Sequence, residues 1–168
     1  MGRRLGVSTT QIRTCLWFDA DGHDAAAYYT SLIPDSEITR VSYYTDASSE
    51  HGEKGSVLEV DFRLGDQKFV ALNGGPHFPQ TEAASIQVYV DSQDELDRIW
   101  DGLTADGGFG TQCGWLKDKY GVSWQVIPTR LTELASSQDS AVSERVIAKM
   151  LTMVKLDIAP LEEAAAGA

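Results

Sequence analysis

One order of elements runs through this sequence twice, and that repeat limits the possible folds more than any single motif does. Ile12 to Phe18 is a short apolar run ending at Asp19, and His23 to Ile33 carries Ala25, Ala26, Tyr29, Leu32 and Ile33 at helical spacing before Pro34. Three stretches of strand chemistry follow, Glu37 to Thr45, Ser56 to Leu64 and Gln67 to Leu72, the last two joined by the turn Gly65-Asp66. The order then restarts. Ala84 to Val90 reads as a strand ending at Asp91, and Gln93 to Leu103 as a helix with Leu96, Ile99, Trp100 and Leu103 on one face. Gly108 to Gln112, Gly114 to Lys119 and Val122 to Pro128 are the strand candidates that follow. Asp19 precedes Tyr28 by nine residues, as Asp91 precedes Trp100.

A β-α-β-β-β unit cannot bury both faces of its sheet alone, so two copies are expected to associate. The pattern predicts an α+β fold in which modules 12–78 and 83–130 form one domain, a curved antiparallel or mixed sheet around a cavity. Residues 1–11 read as a flexible lead-in and residues 131–168 as a helical extension. In that extension Val142, Val146, Ile147, Met150 and Met153 repeat at three and four over Ser140 to Val154, and a shorter helix is expected from Leu156 to Ala164. The stripe fits a helix that covers the sheet or a partner subunit, so a homodimer is expected.

Strand alternation divides each sheet into two faces. Leu16 and Phe18 share one face of the first strand, opposite Arg13, Cys15 and Trp17; Ile86, Val88 and Val90 oppose Ser85, Gln87 and Tyr89 on the fifth. The apolar faces belong under the helices. The mixed faces, with Ala71 and Asn73 on the fourth strand and Ser123, Gln125 and Ile127 on the eighth, are expected around the cavity.

Charge narrows the partners. With 25 acidic against 14 basic residues the chain carries −11, which disfavours nucleic acid and anionic membranes, since both are held by clustered Lys and Arg. No stretch approaches the roughly 20 apolar residues of a membrane span. The first ten residues lack the apolar segment of a signal peptide. Cys15 and Cys113 are expected as free thiols of a reduced compartment, so the chain reads as soluble and cytoplasmic.

The repeated order, with Cys15-Leu16-Trp17-Phe18-Asp19, Val70-Ala71-Leu72-Asn73-Gly74-Gly75-Pro76 and the string from Gly114-Trp115-Leu116-Lys117-Asp118-Lys119-Tyr120-Gly121 to Gln125, resembles the PhnB-like branch of the glyoxalase, or vicinal oxygen chelate, superfamily. That branch is also called 3-demethylubiquinone-9 3-methyltransferase-like. The resemblance runs from about Ile12 to about Leu161 and implies a glyoxalase/bleomycin-resistance-like fold and, commonly, a homodimer. Metal-using members present His or Glu from the first, fourth, fifth and eighth strands. The nearest positions here hold Arg13, Asn73, Ser85 and Gln125, and an Arg, two amides and a hydroxyl are poor ligands for a divalent ion. The expectation is a metal-free site with no cofactor that binds a small, planar molecule. Two other activities are implied by the resemblance: methyl transfer to a quinone-like aromatic, and metal-dependent lyase or dioxygenase chemistry with ligands from elsewhere.

Within that reading the expected site is His77 as the proton-transfer residue, with Trp17, Asn73, Gln87, Trp115 and Gln125 binding the ligand. An imidazole in the Asn73-Gly74-Gly75-Pro76-His77 connection can exchange a proton near neutral pH, or can serve as a hydrogen-bonded loop residue. Trp17 and Trp115 suit a planar ligand, whereas Trp100 and Trp124 belong to the core. His23 and His51 read as plain surface residues. Cys113 reads as a buried thiol with no base nearby in sequence. Lys117-Asp118-Lys119 is either an anion-capturing rim or a solvated turn. Asn73-Gly74-Gly75 lacks the Gly-Lys-Ser/Thr continuation of a phosphate loop, and no Gly-x-Gly-x-x-Gly occurs to hold a dinucleotide.

Overall fold

A computed structural model describes residues 10–48 and 50–167. Most of the expected lead-in lies outside them. The described chain divides into two units, one ending at Phe78 and the other beginning at Pro79.

The first unit contains β1 (Thr14–Phe18), α1 (Gly22–Leu32), β2 (Glu37–Tyr43), β3 (Val57–Leu64) and β4 (Gln67–Asn73). Its strands lie in the order β1-β4-β3-β2; β1 is parallel to β4 and the other neighbours are antiparallel. α1 packs on β2, β3 and β4. Ala25, Ala26 and Tyr29 are fully buried there, above Val60 and Phe62, and the Phe62 and Phe69 rings stack at 5.2 Å. Small residues on α1 let the helix approach the sheet, while the aromatic pair fills the remaining volume. The turn from α1 into β2 passes through Asp35 at φ 52, a left-handed conformation that Asp tolerates better than most residues.

The second unit repeats the plan with β5 (Ile86–Val90), α2 (Gln93–Thr104), β6 (Phe109–Gly110), β7 (Trp115–Lys117) and β8 (Ser123–Pro128), in the order β5-β8-β7-β6 with β5 parallel to β8. Ser92 caps α2 by accepting from the Glu95 N–H. Leu96, Ile99 and Leu103 are fully buried, and Trp100 and Trp124 are core residues as expected, at 8% and 0% exposure. Both sheets are mixed, four-stranded and open.

Several boundaries differ from the sequence reading, and three of the differences have a physical reason. β6 is two residues long because Cys113 and Gly114, at φ 56 and φ 82, turn their N–H groups away from the ladder to Met153 and Val154 carbonyls, each at 2.8 Å. For the same reason α4 (Ser140–Met150) stops short of Val154, whose backbone is used by this contact. A helix without a sequence-based expectation, α3 (Thr129–Ala135), follows Pro128; at two turns it is too short to show a period. α5 (Ile158–Ala166) completes the extension.

The apolar stripe of α4 is used within the chain. Val146 is fully buried with Leu131 of α3 and Leu161 of α5, and Val142, Met150 and Met153 pack against the same cluster. Among the described residues no helix is long and apolar enough to cross a membrane.

Candidate functional site

In the second unit the register assigns the faces as expected. Gln87 is opposite Gln125, Tyr89 opposite Ile127, and Trp115 opposite Gln125, so these side chains share the face away from α2. Trp124, Val126 and Leu116 lie on the buried face. On the open face the polar groups form a chain with one direction. The Tyr89 hydroxyl donates to Gln87 Oε1 at 3.3 Å, the Gln87 amide donates to Gln125 Oε1 at 3.3 Å, and the Gln125 amide donates to Ser85 Oγ at 2.8 Å. With Gln125 fixed as donor, the Ser85 hydroxyl proton is left to donate outward. Trp115, half-buried, supplies an aromatic wall beside this neutral ladder.

The first unit departs from expectation at two residues of β4, Ala71 and Asn73. Asn73 is opposite Phe18 and Ala71 is opposite Leu16 in the parallel β1–β4 pair, so both lie on the α1 side and not on the face of Trp17, whose partner is Leu72. Asn73 is 5% exposed and both ends of its amide are engaged: Oδ1 accepts the Gly22 N–H at 2.8 Å and Nδ2 donates to the Val57 carbonyl at 3.1 Å. It caps α1, where the neighbouring Asp21 makes no side-chain cap bond. Its own carbonyl accepts the buried Tyr44 hydroxyl at 2.5 Å.

Trp17 does lie on the open face, half-buried beneath the chain that leaves β4. Its indole N–H donates to the Gly75 carbonyl at 2.7 Å and its ring meets Phe78 edge-on at 4.8 Å. Gly74 passes directly over the ring: a Cβ there would stand 2.2 Å from Trp17 Cζ2, so only glycine fits. His77 lies on this loop and is exposed.

Beside Trp17, Arg13 donates to Asp61 at 2.6 Å and Arg40 to the same carboxylate at 2.8 Å. Cys15, on the same face, has a pKa raised by burial and by the Glu59 charge, against which Arg13 acts in the opposite direction. Its thiol is therefore a poor nucleophile at neutral pH. Cys113 is half-buried, and both cysteines are free.

The first unit also contains a recess of about 540 Å³ that the sequence did not suggest. Asp19 lines it from the β1–α1 turn, His23 and Asp24 from the first turn of α1, and His51 and Glu53 from the β2–β3 loop, with Tyr44 and Asn73 behind them. The two histidines read as unrelated surface residues, and only the fold brings their loops together.

The charged turn after β7 is not solvated as a whole. Asp118 is 3% exposed; Oδ1 accepts the N–H groups of Tyr120 and Val122, and Oδ2 the indole N–H of Trp124, at 2.8–3.0 Å. It fastens the turn to the core. Lys119 pairs with Asp106, and Lys117 pairs with Glu82 at 2.6 Å.

A divalent metal does not fit the four strand positions that the superfamily uses. Arg13 is a cation paired with Asp61, Asn73 faces α1 with its amide satisfied, and Ser85 and Gln125 bond to each other. On the open face of β4 the positions are Lys68, Val70 and Leu72, an ammonium and two apolar side chains, none of them a ligand for a divalent ion. Among the described residues no three His, Cys, Asp or Glu side chains are grouped to hold an ion.

Comparison with known proteins agrees with this architecture. A family model described as 3-demethylubiquinone-9 3-methyltransferase matches residues 10–127. The chain belongs to this family. It is a PhnB-like chain. A solved structure of a PhnB protein from Bacillus cereus, described as a putative 3-demethylubiquinone-9 3-methyltransferase, is similar at 32% identity over 71% of this chain and 99% of its own, with a TM-score of 0.63. Protein PA1353 from Pseudomonas aeruginosa is similar at 22% identity over 71% of this chain and 98% of its own, with a TM-score of 0.59. No curated protein matches the sequence. For a PhnB-like chain the family fixes the fold, and the chemistry has to be argued from the side chains.

Proposed function

We propose that this PhnB-like chain binds a small planar molecule, aromatic or quinone-like, on the open face of the second unit, without a metal ion. The observation that carries this reading is the directed chain Tyr89–Gln87–Gln125–Ser85 beside Trp115. Neutral amides held in a fixed direction suit a neutral polar edge of a ligand, and an indole at the strand beside them suits its flat face. Taken by itself, the first unit offers Trp17 as a ligand contact and His77 as a proton-transfer residue, because His77 is exposed on the loop that covers the Trp17 ring. Asn73 acts indirectly, by holding the chain that places Gly74 and Gly75 on Trp17.

The test is a thermal-shift screen of the full chain with aromatic, quinone and methyl-donor compounds, followed by calorimetry on Trp115→Ala and Gln125→Leu. Stabilisation by planar compounds, lost in both variants, is expected. If planar compounds left the melting temperature unchanged, or stabilised wild type and Gln125→Leu alike, the reading would fail. Consumption of a methyl donor in the presence of a quinol would extend binding to the methyl transfer that the family is named for, and His77→Ala should then slow the reaction while leaving binding intact.

A further inference from the structure

One buried polar atom of the second sheet has no partner. Ser123 is 2% exposed, and its hydroxyl makes no hydrogen bond to any described residue. Buried hydroxyls are nearly always satisfied, so an orphan one in a strand needs a reason. Ser123 alternates with Gln125 and Ile127, hence it points to the open face, and its register partner on β7 is Lys117.

Lys117 is two residues from Trp115 on a three-residue strand, so the two side chains share that face. An ammonium, an unused hydroxyl and an indole therefore meet at one end of the amide ladder. Lys117 Nζ is held by Glu82 at 2.6 Å, from the segment that precedes β5. The lysine side chain is 24% exposed and the glutamate 69%, so the anion comes from the solvent side. Gln80 of the same segment comes within 3.8 Å of where a Cβ on Gly121 would stand, which carries the segment across this end of the sheet. The Lys117 hydrogen bond also lowers the Glu82 pKa, which favours the charged carboxylate.

We infer that Lys117 and Ser123 form a subsite for an anionic group, a carboxylate carried by the planar ligand, and that Glu82 occupies it in the free protein as an internal substitute. The inference rests on the proposed reading of the open face and adds the charge of the ligand to it. Displacing Glu82 frees the ammonium donor that it holds, and the ligand's second oxygen can accept the Ser123 hydroxyl that has no partner at present. The ladder from Tyr89 to Ser85 then orients the rest of the molecule.

The experiment uses benzoate and its uncharged isostere benzamide, titrated calorimetrically into the full chain and into Glu82→Gln, Lys117→Met and Ser123→Ala. Wild type should prefer benzoate, and Lys117→Met should abolish that preference. Glu82→Gln should tighten benzoate alone, by roughly tenfold if Glu82 fills the subsite about nine-tenths of the time. Ser123→Ala should weaken benzoate and raise the melting temperature of the free protein, because the orphan hydroxyl is removed. Equal affinity for the two probes, or no gain in Glu82→Gln, would overturn the inference while leaving the planar-ligand reading intact. A lower melting temperature in Ser123→Ala would overturn it as well, by showing that the hydroxyl is bonded. Failure of both probes with every variant would overturn the two readings together.

Discussion

The most diagnostic single change in the first unit is Asn73→Asp, which keeps the shape of the side chain and exchanges one donor for an acceptor. Oδ1 can still accept the Gly22 N–H, but the atom now facing the Val57 carbonyl at 3.1 Å is a carboxylate oxygen. The lost hydrogen bond is worth about 1 kcal/mol net, and a buried acceptor left facing another acceptor costs about 1–3 kcal/mol more. At neutral pH the variant should therefore be about 2–4 kcal/mol less stable than wild type. For a chain of 168 residues that lowers the melting temperature by about 5–15 °C. The deficit has a definite sign with pH. Protonation restores a donor toward Val57, so the new carboxyl has a folded pKa above its unfolded value, and its destabilisation fades as pH falls through that folded pKa. Urea unfolding of wild type and variant between pH 4 and pH 8 measures the gap directly. A gap below about 0.5 kcal/mol, or one independent of pH, would refute the assignment of Asn73 to the α1 side and return it to the open face.

Three further outcomes are expected. Gly74→Ala should displace the Trp17 ring, since the new methyl would stand 2.2 Å from it, destabilising the first unit by about 1–3 kcal/mol and shifting the indole N–H resonance that now reports the bond to Gly75. In a Cys113→Ser background, Cys15 should react with iodoacetamide at pH 7.5 more slowly than free cysteine, and Glu59→Gln should speed the reaction by removing a charge that raises its pKa; a slower reaction in that variant would contradict the assignment. We also propose a homodimer, for which light scattering should give about twice 18.3 kDa. Because Val142, Val146 and Met150 pack within the chain, the exposed Ile147, Leu151 and Val154 are the apolar surface left for it on that side, and Leu151→Glu should return a monomer.

The repeat was legible in the sequence because a strand, a helix and three strands leave periods that side-chain type alone reveals, and both sheets show the same order. Alternation was equally sufficient for Gln87, Gln125 and Trp124, where polar and apolar residues change at every step. It failed at Asn73, because Val70, Ala71 and Leu72 before it are all apolar and the strand shows no alternation from which to read a face. Parallel pairing with β1 decides that face, and pairing is not a local property. Asp118 failed for a related reason. Between two lysines it has the composition of a solvated turn, yet three N–H groups converge on it and bury it. Both residues are polar side chains used by the protein's own N–H and C=O groups. Ser123 is the reverse case, a small residue that alternation places on the cavity face without giving it a role, with a hydroxyl that the described structure leaves unused. A residue's type therefore does not separate a ligand contact from a structural one here. What separates them is whether the polar atoms are already engaged: Asn73 and Asp118 are buried and bonded to the protein's own groups, while Ser123 has a hydroxyl and Lys117 has a partner that can be exchanged.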